Sequence, residues 1–120
     1  MIKANELRIG NWVYYNGDGT PFKVLTIEDG GMSVESVDEE TWIEYDQFSP
    51  IDLTPEILEK AGFAVPDGYQ DTVLYNNGLM IDFHLGEYKV REHSKAPCKY
   101  LHQLQNLYYA LTGQELIIEL

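Results

Sequence analysis

The feature that most limits how this chain can fold is an uninterrupted apolar pattern near its C-terminal end, in the stretch KYLHQLQNLYYALTG at residues 99–113. Its apolar side chains recur at spacings of three and four, which places them on one side of an α-helix. These residues are Leu101, Leu104, Leu107, Tyr108 and Leu111. Pro97 suits a helix entry and Gly113 a helix end, so the pattern predicts a helix over residues 98–112, roughly 22 Å long.

A helix of about four turns is marginal by itself in water, because most of its stability comes from packing of its apolar side. The leucine side is therefore predicted to lie against a sheet. The other side carries His102, Gln105, Asn106 and Tyr109, together with Gln103. It is either a solvated surface with one partly buried tyrosine or a contact surface, since amides, imidazole and phenol both donate and accept hydrogen bonds.

Length and apolar content suit a small globular protein. The 120 residues fit one domain or two very small lobes, and 44% hydrophobic residues are enough for a real core. No run approaches the roughly 20 apolar residues of a membrane span, and the first ten residues lack an apolar signal core. Cys98 is the single cysteine, so no internal disulfide or thiolate zinc cluster is expected. The expected location is cytoplasmic.

Charge is high and unevenly distributed. Twenty acidic and eight basic side chains give a formal net charge of −12, which disfavours nucleic acid and anionic membranes as partners. Residues 1–60 hold 13 acids and four bases, whereas Lys89, Arg91, Lys95 and Lys99 fall within 11 positions. This basic segment is either a solvated patch or a docking site for an acidic partner, including the N-terminal half of another copy in a homo-oligomer.

The first half of the chain predicts β-strands. Short β-rich runs at 12–15, 22–27, 32–35 and 41–45, with an extension to 51, alternate with turn signals such as Asn16-Gly17-Asp18-Gly19. Such strands form a curled antiparallel meander. The segments Ile9–Val13, Gly17–Thr20 and Phe22–Ile27 resemble a small SH3-like barrel over about 40 residues. Barrels of this class bind peptides, nucleic acid or nothing, so the resemblance implies a fold rather than a function.

The second half predicts a short helix, a second meander and the C-terminal helix. Thr54 is a good N-cap, Pro55 suits the first helical turn, and Gly62 closes the helix. Strands follow at 72–75, 79–85 and 88–91, the first two joined by an Asn-Asn-Gly turn. Residues 115–120 are strand-like, and we expect them either to pair with a sheet edge or to be ordered by a partner.

Catalytic signatures are weak. His84, His93 and His102 are nine residues apart, which is not the short spacing of most metal sites. Cys98 and His102 are spaced i, i+4, but no acidic orienter or oxyanion-hole signature accompanies them. No glycine-rich phosphate loop opens a helix. The expectation is a protein without enzyme activity, metal or cofactor.

Three segments resemble an uncharacterised family of small proteins from Bacteroidetes and their phages and mobile elements. They are Tyr100–Leu116 (YLHQLQNLYYALTGQEL), Asn5–Val13 and Leu53–Phe63. The first of these motifs is quite specific, and the three lie at the beginning, middle and end of the chain. The resemblance implies a genomic neighbourhood and no particular activity or ligand.

Together these patterns predict an α+β fold. Residues 1–52 form an SH3-like antiparallel β unit, and residues 53–120 form a short joining helix and an antiparallel β-meander packed by one long C-terminal helix. The predicted function is a non-enzymatic interaction or accessory protein, phage- or mobile-element-associated, whose contact surface is His102, Gln105, Asn106 and Tyr109. One alternative is a small-ligand, nucleotide-like site near Lys89, Arg91 and His93. Another is nucleic-acid binding through the basic 89–99 segment.

Overall fold

The chain has a mixed α+β fold with two antiparallel sheets and two α-helices among the residues that the structure describes. The computed structural model describes residues 6–15, 19–35, 40–44, 47–66, 68, 73–91 and 98–120. It divides into two compact units, residues 1–52 with 100–102 and residues 53–99 with 103–120. His93, Pro97 and the predicted hairpin turn at 16–18 lie outside the described residues.

The first unit contains a five-stranded antiparallel sheet. Its strands are β1 (Trp12–Tyr15), β2 (Pro21–Glu28), β3 (Gly31–Glu35), β4 (Glu40–Glu44) and β5 (Phe48–Ser49). The sheet order is β4-β3-β2-β1-β5, so successive strands pair and the last returns beside the first. These strands follow the predicted β-rich runs closely.

Alternation of side chains places one face of this sheet in the core. Phe22 and Val24 on β2 are buried, and a register shift between Val24 and Thr26 marks a β-bulge, which bends a strand locally. The core cluster consists of Leu7, Val13, Phe22, Val24, Met32, Val34, Ile43 and Phe48. Ile9, in contrast, is 63% exposed, so only the first of the two apolar residues around Arg8 reaches the core.

Gly31 at the start of β3 is enclosed by its neighbour strand. A Cβ at this position would lie in steric conflict with the backbone carbonyl of Ile43 and with the indole ring of Trp42. Trp42 is itself 48% exposed, so its ring covers the glycine from the outer face of the sheet. The close pairing of β3 with β4 therefore requires a residue without a side chain at position 31.

In the second unit, α1 (Pro55–Lys60) has the predicted start. The Thr54 hydroxyl oxygen accepts a hydrogen bond from the backbone N–H of Ile57 at 3.2 Å, and Pro55 occupies the first turn. Gly62 follows with φ +89°, a left-handed conformation that glycine adopts without strain. Ile57 and Leu58 are the buried residues of this helix.

A three-stranded antiparallel sheet follows, in the order β6-β7-β8. Its strands are β6 (Val73–Asn76), β7 (Leu79–His84) and β8 (Glu87–Val90). Asn77 and Gly78 between β6 and β7 both have positive φ, as a type I′ hairpin turn requires.

The turn between β7 and β8 uses an unusual residue for the same geometry. Leu85 has φ +53°, a conformation that is uncommon for a bulky side chain, and it is 88% exposed. Gly86 follows with φ +80°. The β7–β8 hairpin thus presents an apolar side chain at its tip, where Asn or Asp would adopt the backbone conformation more readily.

Helix α2 (Leu101–Thr112) is 12 residues long and begins three residues later than predicted. The residues before it are held in backbone pairing: Cys98 N–H donates to the Tyr88 carbonyl at 2.7 Å, and Lys99 C=O accepts from Leu53 N–H at 3.0 Å. These hydrogen bonds hold residues 98 and 99 outside the helix. Gly113, with φ +76°, ends it as predicted.

The buried side of α2 differs from the leucine stripe that the sequence predicts. Leu101, Leu104 and Tyr108 are buried, as expected. Leu111, however, is 45% exposed, and Leu107 is only partly buried. The helix is turned so that Gln105 faces the interior beside Leu101, Leu104 and Tyr108, whereas Leu107 and Leu111 lie nearer to solvent.

The C-terminal residues 115–120 form no described strand, contrary to the first of the two expectations. Their side chains nevertheless alternate, with Leu116 and Ile118 buried and Ile117 81% exposed. The segment therefore packs on the protein through Leu116 and Ile118. In the part of the chain that the structure describes, neither helix has the length and apolar character needed to cross a membrane.

Candidate functional site

An open apolar groove with a cavity volume of about 580 Å³ lies in the second unit. It is lined by Pro55, Glu59, Phe63, Ala64, Leu74, Phe83 and Tyr88. We call this the aromatic groove, because three of its seven lining residues carry aromatic rings. Its volume falls within the about 300–1,000 Å³ that ligand sites usually occupy.

Strand pairing explains why these side chains meet. Leu74 lies opposite Ile81, and Tyr88 lies opposite Phe83, so all four share one face of the β6-β7-β8 sheet. Ile81 is fully buried, whereas Phe83 is 38% exposed. The apolar face is thus covered at one end of β7 and open toward the β7–β8 hairpin.

The aromatic rings of the groove are arranged by mutual contact. The ring centroids of Phe83 and Tyr88 are 4.7 Å apart with planes at 36°. Phe63, buried at the exit of α1, packs its ring edge-on against Tyr108 of α2 at 6.4 Å. These geometries are within the range that favours aromatic pairs, so the rings have defined positions rather than being loosely exposed.

The charges at the groove are negative. Glu59 lines it directly, and among the described residues no Lys or Arg does. Burial raises the pKa of the Tyr88 phenol, and the nearby Glu56 carboxylate raises that pKa further. Two carboxylates of α1 therefore lie beside an apolar, aromatic floor.

The predicted contact surface on α2 needs correction. His102 is 1% exposed and Gln105 is 3% exposed, so neither side chain is available to a partner in this structure. Asn106 is partly buried, and only Tyr109, at 46% exposure, faces solvent substantially. The physical reason is the rotation of the helix described above, which brings its amide- and imidazole-bearing positions inward.

The basic residues of the predicted small-ligand site are paired with acidic ones. Arg91 contacts Asp82 through two hydrogen bonds, Nη2 to Oδ1 at 2.7 Å and Nε to Oδ2 at 3.2 Å, which lowers the pKa of Asp82. Lys89 Nζ lies 4.0 Å from Glu87 Oε2. Neither basic residue lines the aromatic groove, and His93 lies outside the described residues. The charges that would hold an anionic ligand are thus partly neutralised.

His102 occupies an unusual position in the first unit. Its ring stacks on Tyr100 with centroids 5.8 Å apart, and neither ring nitrogen has a hydrogen-bond partner among the described residues. Glu6 Oε1 is 3.9 Å from Nε2, which is beyond hydrogen-bonding distance. Burial lowers the pKa of His102, and attraction to the Glu6 carboxylate only partly opposes that effect.

This burial predicts a pH-dependent stability. Because the folded pKa is below the unfolded value of about 6.5, the unfolded chain binds a proton first as the pH falls. The contribution of neutral His102 is therefore complete above that pH and lost progressively below it. Urea unfolding at pH 7.5, 6 and 5 should show a smaller loss of stability for His102→Phe, which keeps a ring against Tyr100, than for the unchanged protein.

A matched control is His84→Gln, which removes an imidazole from the exposed end of β7. Carboxylate protonation is common to all three proteins, so it cancels in the comparison. Equal pH slopes for the unchanged protein and His102→Phe would contradict the prediction.

Cys98 does not provide a nucleophile at neutral pH. Its side chain is buried, and burial raises the pKa of the thiol to about 12, whereas nucleophilic cysteines need a thiolate. Within the described ranges, no group of three or more His, Cys, Asp or Glu side chains is arranged to hold a metal ion.

Sequence reasoning missed the aromatic groove. Phe63, Leu74, Phe83 and Tyr88 each fit the pattern of core residues, and nothing in their local sequence distinguishes a covered apolar face from an open one. The available signal was that the apolar positions of β7 continue through Phe83 to the exposed Leu85. No protein-family model, curated protein or solved structure matches this chain.

Proposed function

We propose that this chain is a non-enzymatic interaction protein whose contact site is the aromatic groove. The observation that carries the proposal is the groove itself: an open apolar concavity in which Phe83 remains 38% exposed although Leu79 and Ile81, on the same face of β7, are buried. Soluble domains normally cover such a face, and exposed apolar patches with polar rims mark interaction sites. The groove replaces the polar side of α2 as the proposed contact surface.

The proposal also includes the SH3-like character of the first unit, the packing of α2 on the second sheet and an association with phages or mobile elements. An SH3-like character of the first unit is supported by the meander order, with β5 returning beside β1. Packing of α2 on the second sheet is supported by a small cleft that Leu79 of β7 shares with Leu111 and Thr112. Association with phages or mobile elements rests on the resemblance of the C-terminal motif and has no structural argument.

The proposal predicts that Phe83→Ser abolishes capture of a partner. Removing the exposed ring takes away apolar contact area at the centre of the groove, and central aromatic residues carry much of the energy of binding sites. Affinity purification from the native host, followed by quantitative mass spectrometry, should show at least one protein depleted about tenfold or more with the variant, a loss of about 1.4 kcal/mol in binding.

The matched control is Tyr75→Ser. Tyr75 is 43% exposed and lies opposite Met80, so it occupies the other face of the same sheet. The substitution removes a similar aromatic surface but changes no residue that lines the groove, so recovery of the partner protein should be unchanged. Equal recovery of every protein by both variants would overturn the groove as the contact site.

A small-ligand site remains a second candidate, favoured by the groove volume of about 580 Å³. The lining residues suit an apolar ligand better than a nucleotide, since Glu59 would repel phosphate. The same two variants distinguish the two functions. If the groove binds a small ligand, Phe83→Ser would lose the ligand but still capture the same proteins as Tyr75→Ser. Nucleic-acid binding through residues 89–99 has less support, given the pairing of Arg91 with Asp82.

A further inference from the structure

We infer that the aromatic groove takes an apolar side chain flanked by lysine or arginine, in a peptide segment of another protein. This rests on the function proposed above and adds the chemical class of the partner. Three properties of the described residues carry it: an aromatic floor, a carboxylate rim and the absence of a cation from the groove lining.

The floor selects an apolar side chain. Leu74, Phe83 and Tyr88 present aliphatic and aromatic carbon beside the buried ring of Phe63, and a residue of leucine or phenylalanine type would bury apolar area on these three. Each Å² of apolar surface removed from water contributes about 25 cal/mol before the cost of ordering the peptide.

The rim selects positive charge. Glu56 and Glu59 are three residues apart on α1, the spacing at which helix side chains are neighbours. Glu59 lines the groove, and Glu56, one turn earlier on the helix, is near enough to raise the pKa of the Tyr88 phenol. A lysine or arginine adjoining the apolar anchor would face these carboxylates, and the faces of Phe83 and Tyr88 also attract cations.

The net charge of −12 reinforces this choice at longer range. Electrostatic steering raises the association rate of oppositely charged partners and suppresses like-charged ones. A second copy of this chain would bring another −12, so self-association through the groove is disfavoured. The exposed Leu85, two residues beyond Phe83, extends the apolar surface along the hairpin for a partner longer than one side chain.

The test uses a random linear peptide library displayed on yeast, selected against the full chain and then counter-selected against Phe83→Ser to retain groove-dependent binders. We expect the enriched peptides to combine Leu, Phe or Trp with neighbouring Lys or Arg. Their affinities, measured by fluorescence anisotropy, should fall about tenfold between 0.05 and 0.5 M NaCl, since screening shortens electrostatic range.

Charge variants test the carboxylates directly. The double variant Glu56→Gln/Glu59→Gln should weaken the enriched basic peptides about tenfold at low salt and remove most of their salt dependence. Glu115→Gln/Glu119→Gln, which removes two exposed carboxylates that do not line the groove, should leave both unchanged. Glu59→Arg, an exposed helix position, should fold and shift selection toward acidic peptides, even if Phe83→Ser were unstable.

The outcomes distinguish the two proposals. Groove-dependent peptides that are acidic or uncharged, or basic ones insensitive to the Glu56/Glu59 variants, would overturn the charge selectivity and leave the groove as a contact site. No groove-dependent peptide, together with equal recovery of host proteins by Phe83→Ser and Tyr75→Ser, would overturn both.

Discussion

Leu104→Ala is expected to lower the free energy of unfolding by about 2–5 kcal/mol, the range measured for buried leucine truncations. Leu104 is fully buried in the first half of α2, and its truncation leaves a cavity in the interior. The helix has only 12 residues and depends on packing, so the loss also weakens the helix itself. Urea-induced unfolding followed by circular dichroism measures the change.

The same helix offers an internal comparison. Leu111→Ala makes the same chemical change at a position that is 45% exposed, so we expect a loss below about 1 kcal/mol. The difference between the two variants tests which leucines face the interior. Equal destabilisation would mean that the leucine stripe of the sequence, rather than the rotated side, is the buried one.

Gly31→Ala is expected to destabilise the first unit by about 3 kcal/mol, the upper part of the overpacking range. The added methyl would collide with the Ile43 carbonyl and the Trp42 indole. A side chain can turn away, but the carbonyl belongs to the paired strand β4, so relief requires separation of β3 from β4. Thermal unfolding monitored by tryptophan fluorescence would report the loss.

A second substitution divides this effect into its two causes. In the background Trp42→Ala, the methyl group at position 31 meets only the carbonyl, so Gly31→Ala should cost less but remain destabilising. Ser33→Ala, on the same strand and paired with Trp42, adds no volume and should cost little. Full recovery in the Trp42→Ala background would show that the indole alone enforces glycine.

Sequence patterns predicted β7, the start of α1 and the β6–β7 hairpin, because interactions between residues close in sequence determine them. Alternating apolar residues identified β7 to within one residue, because one of its faces is buried. Thr54 and Pro55 fixed the start of α1, since the cap satisfies a backbone N–H that the helix leaves unpaired. Asn77-Gly78 fixed a hairpin, because both residues tolerate positive φ.

The rotation of α2 could not be found in the same way. Periodicity shows that one side is buried, but several leucines on a broad stripe are compatible with more than one orientation. Long-range contacts decide between them: the backbone of Cys98 pairs with Tyr88, and that of Lys99 pairs with Leu53. Polar residues such as Gln105 are then carried inside, contrary to their usual preference.

The candidate site depended even more on distant contacts. Its lining residues come from α1, the segment after it and all three strands of the second sheet. Each would be counted as core by its own pattern, and only the assembled sheet shows that the covering layer stops before Phe83. The partial neutralisation of the basic segment also depends on a distant residue, because Asp82 on β7 pairs with Arg91.

Alkylation of Cys98, the single cysteine of the chain, can measure how often the structure around residues 98–99 opens. Cys98 is 2% exposed, and its pKa of about 12 leaves almost no thiolate in the closed state. Reagents that alkylate thiolates should therefore react only with molecules in which the 98–99 segment has separated from the Tyr88 carbonyl. The labelling rate then gives the free energy of that local opening, with no engineered probe.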